Sequence, residues 1–145
     1  MRHYRYQMPT RWGDMDAMGH INNTLYFRYF EQARIAWFEE MKMLKNESQH
    51  GPILASASCD FLKPLKYPGD IYVDQIVTRL GRSSVAMDLS IERLDEPGQI
   101  YARGTCVIVW MDYSVGRALP WPEDLRLVLT PATADSVVNN EEQAS

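Results

Sequence analysis

Cysteine is scarce in this chain of 145 residues: only Cys59 and Cys106 occur, and no Cys-x-x-Cys spacing is present. That scarcity argues against a disulfide framework and a thiolate zinc site, and both residues read as buried free thiols in apolar strands. Long hydrophobic runs are missing too. No stretch of about eighteen apolar residues is available to span a bilayer, and residues 1–6 lack the apolar core of a secretory signal. The expectation is a cytoplasmic protein with no membrane partner. A basic surplus is also lacking. Residues 1–60 carry seven basic and seven acidic groups, residues 61–117 seven of each, and residues 118–145 one against five. The net charge of −4 therefore sits in the last segment, and a neutral body disfavours nucleic acid, whose binding rests on phosphate attraction. No Walker loop, Rossmann fingerprint or metal-ligand cluster occurs, so neither a metal nor a bound cofactor is expected.

What is present is a single domain's worth of chain, with residues 1–130 as the domain and 131–145 as a small, polar, disordered tail. Residues 4–12 read as a first strand, with Pro9 pointing to an edge position. Residues 24–43 then run five turns without Gly or Pro. Apolar side chains from Leu25 to Met43 cover most of that helical surface, so this helix should be wrapped by other structure. Glu31 and Arg34 stand at the spacing of a helix-face ion pair.

Beyond the polar loop closed by Gly51-Pro52, the period falls towards two. Segments 53–62, 71–80, 84–94 and 100–111 read as strands separated by Pro68-Gly69, Gly81-Arg82-Ser83 and Pro97-Gly98 turns. In the third, Val85, Met87, Leu89 and Ile91 face one way, and Asp88, Ser90 and Glu92 the other. Short connections imply an antiparallel meander. Residues 122–129 suit a short helix. The sum is an α+β domain, a curved antiparallel five-stranded sheet around one long central helix.

The most informative segment runs from Asp14 to Asn23. It sets Asp14, Asp16, His20, Asn22 and Asn23 ahead of a helix whose first N–H groups have no intrahelical partner. Such a terminus offers positive potential where anionic charge develops. A carboxylate beside those donors suits attack on an acyl carbonyl, while the plain alternative is that Asp16 caps a turn.

Residues 12–26, followed by Phe30-Glu31-Gln32-Ala33-Arg34, resemble the signature of the 4-hydroxybenzoyl-CoA thioesterase family of hotdog-fold acyl-CoA thioesterases. Phe61-Leu62-Lys63-Pro64-Leu65, Pro68-Gly69-Asp70 and the 109–112 strand end extend the likeness over roughly residues 5–129. The resemblance implies a hotdog fold and hydrolysis of an acyl-CoA to free acid and CoA. It puts the catalytic carboxylate on Asp16, as nucleophile or as general base for water. The expected oxyanion donor is the Asn23 backbone N–H, and His20 would orient Asp16 or the substrate carbonyl.

Gly19 would permit the tight turn before the helix, with Asn22 beside it and Tyr26 lining the acyl pocket. Lys63, Arg82, Ser83 and Ser84 are candidate contacts for coenzyme A, which enters as substrate and not as cofactor; Lys66 and Arg117 are weaker ones. Asp14 is a loop-holding residue or a second candidate base, and Glu31 a minor one. A homodimer or homotetramer with sites at the subunit interface is implied as well. Competing readings are a thioesterase acting on acyl carrier protein and a non-catalytic acyl-CoA-binding module.

Overall fold

The computed structural model describes residues 2–44 and 49–131, so the tail expected from 131 onward lies almost wholly outside the described residues. Strand β1 (His3–Pro9) leads through a 3-10 turn at Trp12–Asp14 to helix α1 (Asn23–Glu40). Strands β2 (His50–Phe61), β3 (Asp70–Leu80), β4 (Ser84–Arg93), β5 (Ile100–Asp112) and β6 (Arg117–Ala118) follow, and helix α2 (Glu123–Leu129) closes the order. The strands form one antiparallel sheet in the order β1-β3-β4-β5-β2, with β6 paired to β5. The meander is β3-β4-β5, and Pro9 does sit on an edge strand.

One expectation needs correcting. The sheet has six strands and not five, because Gly116 at φ 67 turns the chain into a two-residue hairpin partner for the end of β5. The short helix expected over 122–129 is present as α2, so the long helix is not alone. Helix α2 buries Leu125 and Leu129, and Trp121 just ahead of it packs on Trp110 with ring centroids 5.1 Å apart.

Alternation in β4 builds the core: Val85, Met87, Leu89 and Ile91 are buried beneath α1, beside Ile71, Val73 and Val77 of β3. Tyr26, Tyr29, Phe30, Ala33, Trp37 and Phe38 are the apolar residues that α1 buries. Tyr4 of β1 stacks on Trp37 at 5.7 Å, nearly parallel. Full wrapping of the helix does not occur, however. Phe27, Arg28, Glu31 and Gln32 are exposed, since a single sheet covers only one side. Glu31 accepts a hydrogen bond from Arg28 at 2.8 Å, so the expected Glu31–Arg34 pair is replaced by Glu31–Arg28. Cys106 is buried as expected, whereas Cys59 is half-buried because β2 is the other edge.

Close approach of α1 to the sheet depends on Gly104. A Cβ there would stand 2.5 Å from the Ser58 carbonyl oxygen and 3.1 Å from the Phe30 ring. Gly104→Ala should lower stability by about 1–3 kcal/mol through overpacking, read as a shifted urea midpoint at constant slope.

On the far face of the sheet, where the alternation of β4 puts it, Glu92 is buried, because the Arg5 guanidinium bridges Glu92 and Asp74. His3 also contacts Asp74, at 2.8 Å. Burial pushes the Asp74 carboxyl up, but the hydrogen bonds from Arg5 and His3 outweigh it and hold the carboxyl below the ordinary aspartate range. A depressed folded pKa stabilises above the unfolded value and is lost as pH falls through the folded one. The stability advantage of the natural protein over Asp74→Asn should therefore be full at pH 6 and shrink below about pH 4 in urea titrations.

Candidate active site

The loop from Asp14 to Asn22 is held by backbone pairing with itself and with a neighbouring segment. Met15 and Ile21 form an isolated antiparallel bridge, Asp16 N–H donates to the His20 carbonyl at 2.9 Å, and Gly19 N–H returns to the Asp16 carbonyl at 3.0 Å. Gly19 adopts φ 77, a left-handed conformation that glycine enters without penalty. Ile21 N–H donates to the Leu65 carbonyl at 2.8 Å, and Leu65 N–H donates to the Tyr26 hydroxyl at 3.2 Å. Helix α1 thus grips the loop through the buried Leu65.

A second brace comes from Tyr29, whose hydroxyl donates to Asp14 Oδ2 at 2.8 Å while Asn22 N–H donates to the Asp14 carbonyl at 3.0 Å. Burial, helped by the Asp14 carboxylate, drives the Tyr29 pKa far above the ordinary tyrosine value, so the phenol remains the donor. Tyr29→Phe should cost about 1–3 kcal/mol by stripping a partner from a half-buried carboxylate, measurable by thermal or urea unfolding.

Asp16 is half-buried. Its Oδ1 accepts from Met18 N–H at 2.9 Å and its Oδ2 from the Asn22 side-chain amide at 3.3 Å. The carboxylate caps the turn and also leans on the residue that caps the helix. Asn22 has φ −60 and ψ 137, and its side-chain oxygen accepts from Thr24 N–H at 3.0 Å. Leu25 N–H is taken by the Asn22 carbonyl. Asn23 N–H is left over: among the described residues nothing accepts from it. One unpaired donor at a helix start, next to an ionisable carboxylate, can stabilise an oxyanion as that carboxylate acts.

Beside this donor lies a cleft of about 150 Å³ lined by His20, Ile21, Asn23, Tyr26 and residues 61–64. Neither Asp16 nor Asn22 lines the cleft; Asp16 bonds Asn22, the chain neighbour of the lining residue Asn23. His20 is among the lining residues and its side chain has no hydrogen-bond partner among the described residues, so the expected side-chain link from His20 to Asp16 is replaced by a backbone one. Tyr26 contributes to the lining, although it is first a core residue whose ring meets Phe61 edge-on at 4.9 Å. Lys63 reaches the rim, where Glu96 takes its ammonium at 3.1 Å and the Tyr101 ring lies 4.9 Å below.

Asp16, Gly19, His20, Asn22, Asn23, Tyr26 and Lys63 thus converge on one end of the sheet. Arg82, Ser83 and Ser84 do not. They form the β3–β4 turn, with carbonyls of Arg82 and Ser83 capped by Trp121 and Trp110, at the end of the sheet where α1 finishes. Within one chain they cannot reach the cleft, because ten residues of β4 separate the two ends. Reasoning from sequence missed Tyr29 and Leu65 as supports for the loop. Only the tyrosine two turns into the helix signalled one of them.

Residues 10–129 match the thioesterase-like superfamily. The chain belongs to that superfamily. Solved relatives agree with the assignment. A Pseudomonas aeruginosa protein with an inferred thioesterase activity is 36% identical, covers 88% of this chain and 98% of its own, and superposes with a TM-score of 0.84. A Xanthomonas campestris protein with an inferred acyl-CoA thioesterase activity is 37% identical over 74% of this chain and 92% of its own, with a TM-score of 0.69. The Bacillus subtilis protein YsmA is 27% identical over 118 residues, 81% of this chain and 79% of that one. The antiparallel sheet with its helices is accordingly a hotdog-like thioesterase fold.

Proposed function

We propose that this thioesterase-superfamily protein hydrolyses an acyl-CoA thioester to the free carboxylic acid and CoA, in the manner of the 4-hydroxybenzoyl-CoA group. The observation that carries the reading is the Asp16 carboxylate held against Asn22, one residue from the unpaired Asn23 N–H. In one route the carboxylate attacks the thioester carbonyl, CoA leaves as thiolate, and water cleaves the resulting anhydride. In the other, Asp16 takes a proton from the attacking water. In both, charge that collects on the carbonyl oxygen is met by the Asn23 N–H, a donor already in place and needing no reorganisation. His20 lines the approach and orients the carbonyl.

Coenzyme A as carrier is favoured over acyl carrier protein by the neutral body, which lacks the basic rim an acidic partner protein would call for. Lys63 and Lys66 lie on the same side of the sheet as the cleft and offer cationic contacts to CoA phosphates. Neither a metal nor a bound cofactor enters the reaction scheme. The protein acts in the cytoplasm as a homodimer or homotetramer; among the described residues no helix is long and apolar enough to cross a membrane. Assembly would allow Arg82, Ser83 and Ser84 of one subunit to serve the cleft of another.

Thiol release from a panel of aliphatic and aryl acyl-CoAs, followed with a thiol-reactive dye, tests the proposal. Continuous release is expected with at least one of them. Tight binding of an acyl-CoA without thiol release would replace the enzyme by a binding module.

A further inference from the structure

The two ends of the Asn22 amide face different partners. Its Oδ1 accepts from the Thr24 N–H at 3.0 Å and from the Thr24 hydroxyl at 2.5 Å, which caps the first turn of α1. Its Nδ2 donates to Asp16 Oδ2 at 3.3 Å. The reversed amide is excluded by its chemistry, because it would set donor against donor at Thr24 N–H and acceptor against acceptor at Asp16. Thr24 therefore decides which end of Asn22 meets Asp16.

The two oxygens of Asp16 are held by different parts of the fold. Oδ1 takes the Met18 N–H at 2.9 Å, inside a turn closed by the backbone bonds of Asp16, Gly19 and His20. Oδ2 is held from outside that turn, by the residue that caps α1. A carboxylate bonded through one oxygen can pivot about that bond, and a second bond fixes its plane. The link to Asn22 is longer than the usual ~2.9–3.0 Å of an N–H···O bond. Its hold depends on aim, which the two bonds from Thr24 supply.

The residue type at position 22 fits both tasks. A cap by itself asks only for an acceptor, and aspartate, serine or threonine would serve. Holding a carboxylate asks for a donor as well. Asparagine is the good cap that carries acceptor and donor on separate atoms.

We infer that Asn22 is a positioning residue for the proposed hydrolysis, aimed by Thr24, and that its amide fixes the plane of the Asp16 carboxylate relative to the start of α1. Asn22 is not among the residues that line the cleft, so it acts through Asp16 and not on substrate. This assignment rests on the catalytic role proposed for Asp16.

Variants that keep the cap and lose the donor test it, with kcat, KM and the urea midpoint measured on each. Asn22→Ser, whose single oxygen is taken by Thr24, should keep the helix and the midpoint, lower kcat about tenfold to a hundredfold and leave KM within about twofold. Thr24→Val should lower kcat about three- to tenfold, and Thr24→Ser, which returns the hydroxyl, should restore it. Thr24 is exposed, so this pair still decides should Asn22→Ser fail to fold. The exchange D16N/N22D rebuilds the hydrogen bond with donor and acceptor reversed. Its stability should match the natural protein, while its turnover stays at the level of Asp16→Asn, because the carboxylate now stands on the wrong residue.

Natural kcat in both Asn22→Ser and Thr24→Val would leave Asn22 a cap alone and overturn the assignment. A loss confined to KM would make Asn22 a substrate contact, and a kcat that falls only in step with stability would make it structural; either also overturns it. So would recovery of turnover in D16N/N22D. A natural protein that releases no thiol from any acyl-CoA refutes the role of Asp16 and this assignment together, whereas an active natural protein with indifferent variants refutes the assignment alone.

Discussion

Replacing Asn23 by proline should lower the turnover of thioester hydrolysis by about 10²–10³-fold while leaving α1 intact. The substitution deletes one atom of interest, the backbone hydrogen that no group in the described chain accepts. Asn23 is the first residue of the helix, where proline is well tolerated because that N–H has no intrahelical acceptor in any case. The preceding residue is also suited, since Asn22 already sits at φ −60 and ψ 137, the extended region that a following proline demands. Circular dichroism should therefore be unchanged. An Asn23→Ala control retains the N–H and should keep most of the rate, which separates a backbone role from a side-chain one.

The larger effect belongs to Asp16. Asp16→Asn should reduce turnover by about 10²–10⁴-fold, the range expected when a positioned base or nucleophile is lost. Asparagine can still accept the Met18 N–H bond that Oδ1 now takes, so the turn has a route to persist. Its other end would present either an amide to the Asn22 amide or a flipped oxygen. The turn-capping and chemical roles of this residue thus separate experimentally: the first survives the amide, the second does not.

The long helix and the meander were legible because their signals are local. Five uninterrupted turns and the period-two run through Val85, Met87, Leu89 and Ile91 need only neighbours along the chain. What escaped depends on contacts far apart in sequence. Glu92 reads only as a residue on the polar side of its strand, and its burial depends on Arg5, eighty-seven positions away. Arg34 reads as a partner for Glu31, but Arg28 takes that carboxylate and Arg34 is buried. The 82–84 turn reads as a pocket contact because it is Gly- and Ser-rich, and only strand direction reveals that it lies at the far end. Leu65 stands in a segment that carries the family likeness, but nothing local marks its backbone as the group that takes Ile21 N–H and donates to Tyr26.

Chemical rescue gives the most direct test of the Asp16 assignment. Asp16→Ala, checked for native circular dichroism, should hydrolyse acyl-CoA at a small fraction of the natural rate. Added formate should then raise that rate saturably, with no effect on the natural protein, because it returns a carboxylate to the vacated space beside Asn22 and Asn23. Turnover of Asp16→Ala equal to that of the natural protein, without formate, would contradict the account.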